Sequence, residues 1–117
     1  MTVWLHISFA LMAITAAAHS WLGEKRIIGP AIAARQAYLA NPFMQQITRF
    51  AWHAMSVFVL GNAATVIWPG TPEVLIRLIG ALWIGIGLVG LAVTRGRHVG
   101  WPVIVGAGLA AWLGTAG

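Results

Sequence analysis

Acidic residues and cysteine are what this chain has least of. Its 117 residues include no cysteine and two acids, Glu24 and Glu73. Without cysteine there is no disulfide framework, no thiolate metal ligand and no c-type haem attachment site. Charged residues make up 8% of the chain, against about 25% in a typical soluble domain. Since a small soluble domain leaves much of its surface in water, this composition excludes an ordinary soluble protein.

The placement of the few charges excludes further classes. No Asp, Glu, Lys or Arg lies near the middle of an apolar segment. Small proton-coupled exporters of this length carry such a carboxylate in their first helix, and a charged ion pathway also needs embedded charges. There is no Ser/His/Asp set, no phosphate-binding glycine loop and no pair of carboxylates, so an enzyme with side-chain acid/base catalysis is not expected.

Apolar residues dominate instead. They form 60% of the chain, and the mean hydropathy is +0.85. A membrane span needs about 20 residues, and it forms a helix because lipid offers its backbone no hydrogen-bond partners. We therefore predict an all-α, polytopic membrane protein, a single domain over residues 1–117, with four transmembrane helices in an antiparallel bundle. The predicted spans are 3–22, 50–69, 74–94 and 99–115.

The connections carry turn and capping signals. Within residues 23–49, the stretch 30–40 is predicted to form a short helix along the membrane interface. Pro30 suits its first turn, and Asn41-Pro42 indicates its end.

The turn before the third span has a capping pattern of its own. Thr71 is predicted to cap the third helix, with Pro72 in its first position. Glu73 and Arg77 are four residues apart, so they should pair on that helix.

Lysine and arginine concentrate in the first and third connections. The positive-inside rule then places residues 23–49 and 95–98 in the cytoplasm and both termini outside. No positive charge precedes the first span, so an anchor is expected rather than a cleaved signal peptide. Because the basic residues flank apolar spans, we expect a lipid bilayer as partner and no nucleic acid.

Two histidines fall at the inner ends of the first two spans. His19 and His53 should lie at similar depth, with Glu24 nearby. Imidazole and carboxylate together suit a transition metal, and two imidazoles on facing helices suit a b-type haem. The alternatives are a contact with a quinone or lipid, or a structural hydrogen bond to a neighbouring helix. His6 is expected at the outer interface, and His98 in the solvated turn or with the inner group.

Small residues recur at four-residue spacing and predict close helix packing. These strips either close the bundle or bind another subunit. Trp83 lies deep in its span, so it should pack between helices. The residues of the strips are Ala13 and Ala17, Ala81 and Gly85, and Gly106, Ala110 and Gly114.

Two short motifs resemble a known pattern. "HSWLGE" (19–24) and "WHAMS" (52–56) resemble the HSxLGE and WHxxS elements of small uncharacterised bacterial inner-membrane proteins. The similarity covers about the first half of the chain. It implies a four-helix fold and no activity.

These observations favour two functions. The first is a small integral membrane accessory or structural subunit that acts through helix packing with other membrane proteins or with its own copies. The second is a haem- or metal-binding redox membrane protein that uses His19 and His53, with Glu24 as a metal ligand or ligand partner.

Overall fold

The chain is built from helices. A computed structural model describes residues 2–116, and no strand occurs among them. Four long helices dominate, and a short α2 and a 3₁₀ turn join the first to the next. The helices are α1 Thr2–Gly23, α2 Gly29–Ala34, α3 Pro42–Ile67, α4 Glu73–Thr94 and α5 Trp101–Thr115.

Three helical stretches are long and apolar enough to cross a membrane. They are Thr2–Ala34, Pro42–Ile67 and Glu73–Thr94. The fourth predicted span corresponds to α5, which has 15 residues and is therefore only about 22 Å long at 1.5 Å per residue. Much of the apolar surface faces outward: Val74 is 75% exposed and Val93 77%. The all-α part of the predicted fold class is thus confirmed, and three of the four predicted spans correspond to helices long and apolar enough to cross a membrane.

The first connection is more helical than predicted. A π-helical turn, Glu24–Ile28, joins α1 directly to α2. Gly23 and Gly29 keep right-handed φ angles of −61° and −57°, so neither stops the helix. The helix ends where Arg35 takes a left-handed φ of 50°. Residues 30–40 are therefore two pieces, the end of a continuous helix and a separate 3₁₀ turn over Ala37–Ala40.

The Asn41-Pro42 pair begins a helix as well as following one. Asn41 Oδ1 accepts a hydrogen bond from the Phe43 N–H at 2.9 Å, and Pro42 occupies the first helical position. Asparagine at the N-cap and proline at the next position are a favoured helix start. The helix that holds the second predicted span therefore begins at Pro42 rather than near residue 50.

The start of α4 is shifted by one residue from the expected capping pattern. Pro72 is the N-cap, Glu73 is the first helical residue, and the Pro72 carbonyl accepts the first helical hydrogen bonds. Thr71 therefore lies outside the helix. The predicted pair is present, with Arg77 Nη2 3.6 Å from Glu73 Oε2.

Helix α1 lies between two neighbours. It packs against α3 on one side and α5 on the other, and α5 in turn packs against α4. Helices α3 and α4 touch only slightly, where Trp83 Nε1 donates to Asn62 Oδ1 at 3.2 Å. Trp83 is 6% exposed, so its predicted place between helices is confirmed. The buried core consists of Met12, Ala63, Val66, Ile76, Ile79, Trp83, Ala107 and Ala111.

Glycines bring α4 and α5 into backbone contact. A Cβ on Gly108 would lie 2.5 Å from the Gly80 carbonyl oxygen, and a Cβ on Gly87 would lie 2.5 Å from Val105 Cγ2. Neither position has room for a side chain. Gly80, Gly87 and Gly108 therefore set the distance between these helices, although none belongs to the predicted strips.

The predicted strips divide between the interior and the surface. Ala110 and Gly114 are buried, and Gly114 packs on Leu5. Ala13 and Gly106 are half-buried. The remaining members face outward, so they do not close the contacts between these helices. They are Ala17, Ala81 and Gly85.

A pair of glycine substitutions tests the α4–α5 contact. We expect Gly108→Ala to lower the free energy of unfolding by about 1–3 kcal/mol, the usual cost of overpacking. Gly61 in α3 has open space around its Cβ position. Gly61→Ala should therefore raise stability by about 0.5–1 kcal/mol, the ordinary helix preference for alanine. Unfolding by SDS in mixed micelles measures both. Equal effects of the two substitutions would contradict the close approach.

Candidate functional site

Polar side chains of α1 and α3 meet where the two helices are in contact. Within each set, successive members that are not adjacent in sequence are three or four positions apart, about one helical turn, which places each set on one helix face. We call this group the α1–α3 polar cluster. Its members are His19, Ser20 and Glu24 from α1 and the π turn, and Arg49, Trp52, His53 and Ser56 from α3.

His19 and Trp52 bind each other twice. The Nε2 atom of His19 lies 3.1 Å from the Trp52 carbonyl oxygen, and Trp52 Nε1 donates to the His19 carbonyl at 2.8 Å. The two rings stack with centroids 4.4 Å apart and planes 6° from parallel. Because a carbonyl oxygen only accepts, Nε2 of His19 must carry a hydrogen. The stack and the two hydrogen bonds fix the imidazole in place.

Two serines and His53 form a second link. Ser20 Oγ donates to Ser56 Oγ at 2.6 Å, and His53 Nδ1 lies 2.9 Å from Ser20 Oγ. With its one hydrogen directed to Ser56, the Ser20 hydroxyl can only accept from His53. In this arrangement Nδ1 carries the hydrogen, which leaves Nε2 of His53 free to face another group.

That group is Glu24. Its Oε1 atom accepts a hydrogen bond from Arg49 Nε at 2.6 Å. Its Oε2 atom is buried and has no hydrogen-bond partner within residues 2–116; His53 Nε2 lies 3.7 Å away. The carboxylate thus joins the π turn to α3 through Arg49 and presents a second, unpartnered oxygen to an imidazole.

The structure brings part of the predicted site together. Glu24 and His53 face each other, whereas His19 is bound to Trp52. Across residues 2–116, no group of three or more His, Asp or Glu side chains is arranged to hold a metal ion. A haem between His19 and His53 would require His19 Nε2 to leave the Trp52 carbonyl, or its other ring nitrogen to act as the ligand.

The two motifs of the sequence face each other. Gly23, in the first motif, has no room for a side chain because a Cβ would meet the Trp52 indole. Trp52, in the second motif, is the partner of His19, a role that was not predicted from the sequence. The signal that could have found it is the pairing of the motifs, which supply every member of the cluster except Arg49.

Histidine substitutions test whether the cluster holds α1 to α3. His6 Nδ1 bonds only the Thr2 carbonyl of its own helix, so His6→Ala is the matched control. We expect His19→Ala and His53→Ala each to lower the free energy of unfolding by about 1–2 kcal/mol, the range for hydrogen bonds between helices. Thermal unfolding in detergent, followed by circular dichroism, compares the three variants. Equal tolerance of all three would show that the cluster adds nothing to stability.

The chain was compared with family models, with curated proteins and with solved structures. No family model matches it, and neither of the other comparisons gives a match. The function must therefore be inferred from the contacts and charges described above.

Proposed function

We propose that this chain is a small integral membrane accessory or structural subunit that works by packing its helices against other membrane proteins or further copies of itself. The polar groups that would serve a catalytic site are instead used to join α1 to α3. Between the charged connections, the outward surface of the long helices is mostly apolar.

The proposal includes a membrane placement. The helices form an antiparallel bundle of four spans in a bacterial inner membrane, with both termini outside and connections 23–49 and 95–98 in the cytoplasm. The distribution of basic residues supports this orientation. Arg77 is the one lysine or arginine that this orientation places on the outer side. It donates hydrogen bonds to the side chain and carbonyl of Thr115 at the end of α5, where a cation is favourable.

One observation carries the packing function. On the outward face of α4, Gly85 has nothing within 4 Å of its Cβ position. It lies in an apolar groove of about 340 Å³ with Leu82, Ile86 and Val89. Ala81, one turn away, is also exposed. Two small residues four apart, flanked by larger apolar ones, allow a second helix to approach the backbone closely.

Filling the groove tests the proposal. We expect Gly85→Leu to weaken association at least tenfold, because leucine would occupy the space that a partner helix needs. The chain carries a donor or acceptor fluorophore, and energy transfer between copies is measured in liposomes at several protein-to-lipid ratios. Purification of the wild-type chain and of the variant in mild detergent shows whether another membrane protein accompanies the wild type and is lost from the variant.

The matched control is Gly61→Leu. Gly61 is an exposed α3 glycine with nothing within 4 Å of its Cβ position, so this variant should associate like the wild type. A wild-type chain that stays monomeric at all ratios and purifies without any partner would overturn the proposal. So would equal weakening by both variants.

A metal- or haem-binding redox function is the second candidate. It is favoured by one observation, the unpartnered Glu24 Oε2 that lies 3.7 Å from His53 Nε2. Carboxylate and imidazole are both ligands for transition metals. The absorption spectrum and the metal content of the purified chain decide it, with His53→Ala as the control. A stoichiometric metal or a Soret band that His53→Ala removes would support this function, and absence of both would overturn it.

A further inference from the structure

A second cavity lies between α1 and the start of α5, next to the His19–Trp52 pair. Its volume is about 380 Å³, within the range of small-molecule sites. Most of its wall is apolar, with Ile14, Leu22, Val103 and Ile104 among the lining residues. The polar side chains that line it are Thr15, His19, Arg26, Trp52 and His98.

The cavity is lined by a basic side chain and by no acidic one. That side chain, Arg26, has no ion pair within residues 2–116. The chain cannot supply a carboxylate either, because Glu24 already binds Arg49 and Glu73 pairs with Arg77. No acidic side chain of the described residues is therefore left for Arg26, so an anion bound to it would come from outside residues 2–116.

The two-residue spacing of Glu24 and Arg26 explains why Arg26 faces this cavity. Residues two apart on a helix point to nearly opposite sides. Glu24 is directed at α3, where it binds Arg49. Arg26, two residues later, is consequently directed at α5, and it lines the cavity. One short segment thus serves the polar cluster on one side and the cavity on the other.

Thr15 and Trp52 have little left to offer a ligand. The Thr15 hydroxyl donates to the Leu11 carbonyl, and Trp52 Nε1 is bound to the His19 carbonyl. His19 already uses Nε2 on the Trp52 carbonyl. Among the lining side chains, those left to bind an anion are therefore the Arg26 guanidinium and the His98 imidazole, at a cavity whose other side chains are mostly apolar.

We propose that this cavity binds an anionic phospholipid, with an acyl chain along the apolar wall and the phosphate on Arg26 and His98. Basic pockets between transmembrane helices are known to bind anionic lipid head groups, and a guanidinium binds phosphate through two parallel hydrogen bonds. The apolar wall favours a lipid over a free anion, because inorganic phosphate would leave most of the cavity unfilled.

Native mass spectrometry of the full chain in detergent tests this site. The chain is titrated with phosphatidylglycerol and, separately, with phosphatidylcholine of the same acyl chains. We expect phosphatidylglycerol to bind at least tenfold more tightly, and Arg26→Gln to remove that preference. Arg35→Gln is the matched control, because Arg35 is an exposed arginine nearby that does not line the cavity.

A second variant tests the apolar wall. Val103→Phe should reduce binding of both lipids by filling the cavity, while circular dichroism reports whether the variant is folded. Excess inorganic phosphate should not displace phosphatidylglycerol. Equal binding of the two lipids, equal effects of Arg26→Gln and Arg35→Gln, or displacement by phosphate alone would each overturn the proposal. None of these results depends on whether the outer face of α4 binds a partner.

Discussion

Hydrogen bonds to backbone carbonyl oxygens fix the position of α1. On the α3 side, His19 and Trp52 each use a ring N–H on the other's carbonyl. On the α5 side, the buried Ser8 hydroxyl donates to the Ala107 carbonyl at 2.7 Å. A helical carbonyl can accept a second hydrogen bond, so these contacts add to the helices without breaking them. They matter because apolar surroundings provide few other partners for a polar side chain. The polar cluster, the cavity beside α5 and the free face of α4 all follow from this central position of α1.

The shortage of carboxylates leaves most of the basic side chains without an acidic partner. Seven lysines and arginines share two acids, and each acid pairs with one arginine: Glu24 with Arg49, Glu73 with Arg77. Both pairs have partly exposed side chains, so their own contribution to stability is modest. Their greater consequence is that the other cations have no acidic side chain left to pair with. The connections at one end of the helices are therefore left with positive charge that the protein's side chains do not balance.

Local signals in the sequence predicted the helices better than their ends. The apolar runs predict helical structure because their length and composition allow little else. The helix ends were harder, since Asn41-Pro42 can stop one helix and cap the next, and Gly23 and Gly29 can stop a helix or continue it. The sequence cannot show which outcome tertiary contacts select. Here the Trp52 indole packs directly over Gly23, which explains why a glycine is needed there although it does not end the helix.

The candidate site was likewise predicted in part, because the sequence indicates depth in the helix better than it indicates which residues make contact. Spacing predicted that His19 and His53 would lie at similar depth with Glu24 nearby. Of these, His53 and Glu24 face each other, whereas His19 binds Trp52. The rotation of α1 about its own axis decides which residue His19 meets, and that rotation depends on contacts with α3 and α5 together. The small residues of α4 also depend on tertiary contacts. Ala81 with Gly85 and Gly80 with Gly87 both have spacings that fit one face of α4, but only the neighbouring Trp112, Val105 and Gly108 determine that the second pair is covered.

The arrangement of helices also sets an order of assembly. Helix α1 is made before the other three long helices, yet one of its two neighbours, α5, is made after α3 and α4. The Ser8–Ala107 hydrogen bond joins residues 99 positions apart. Contacts between α1 and α3 can form early, whereas α5 first meets α4 across a short turn. Contacts between distant segments form late because the loop between them must close first. One flank of α1 therefore stays open until α5 has been made, and the cavity beside it is completed only when α5 packs against α1.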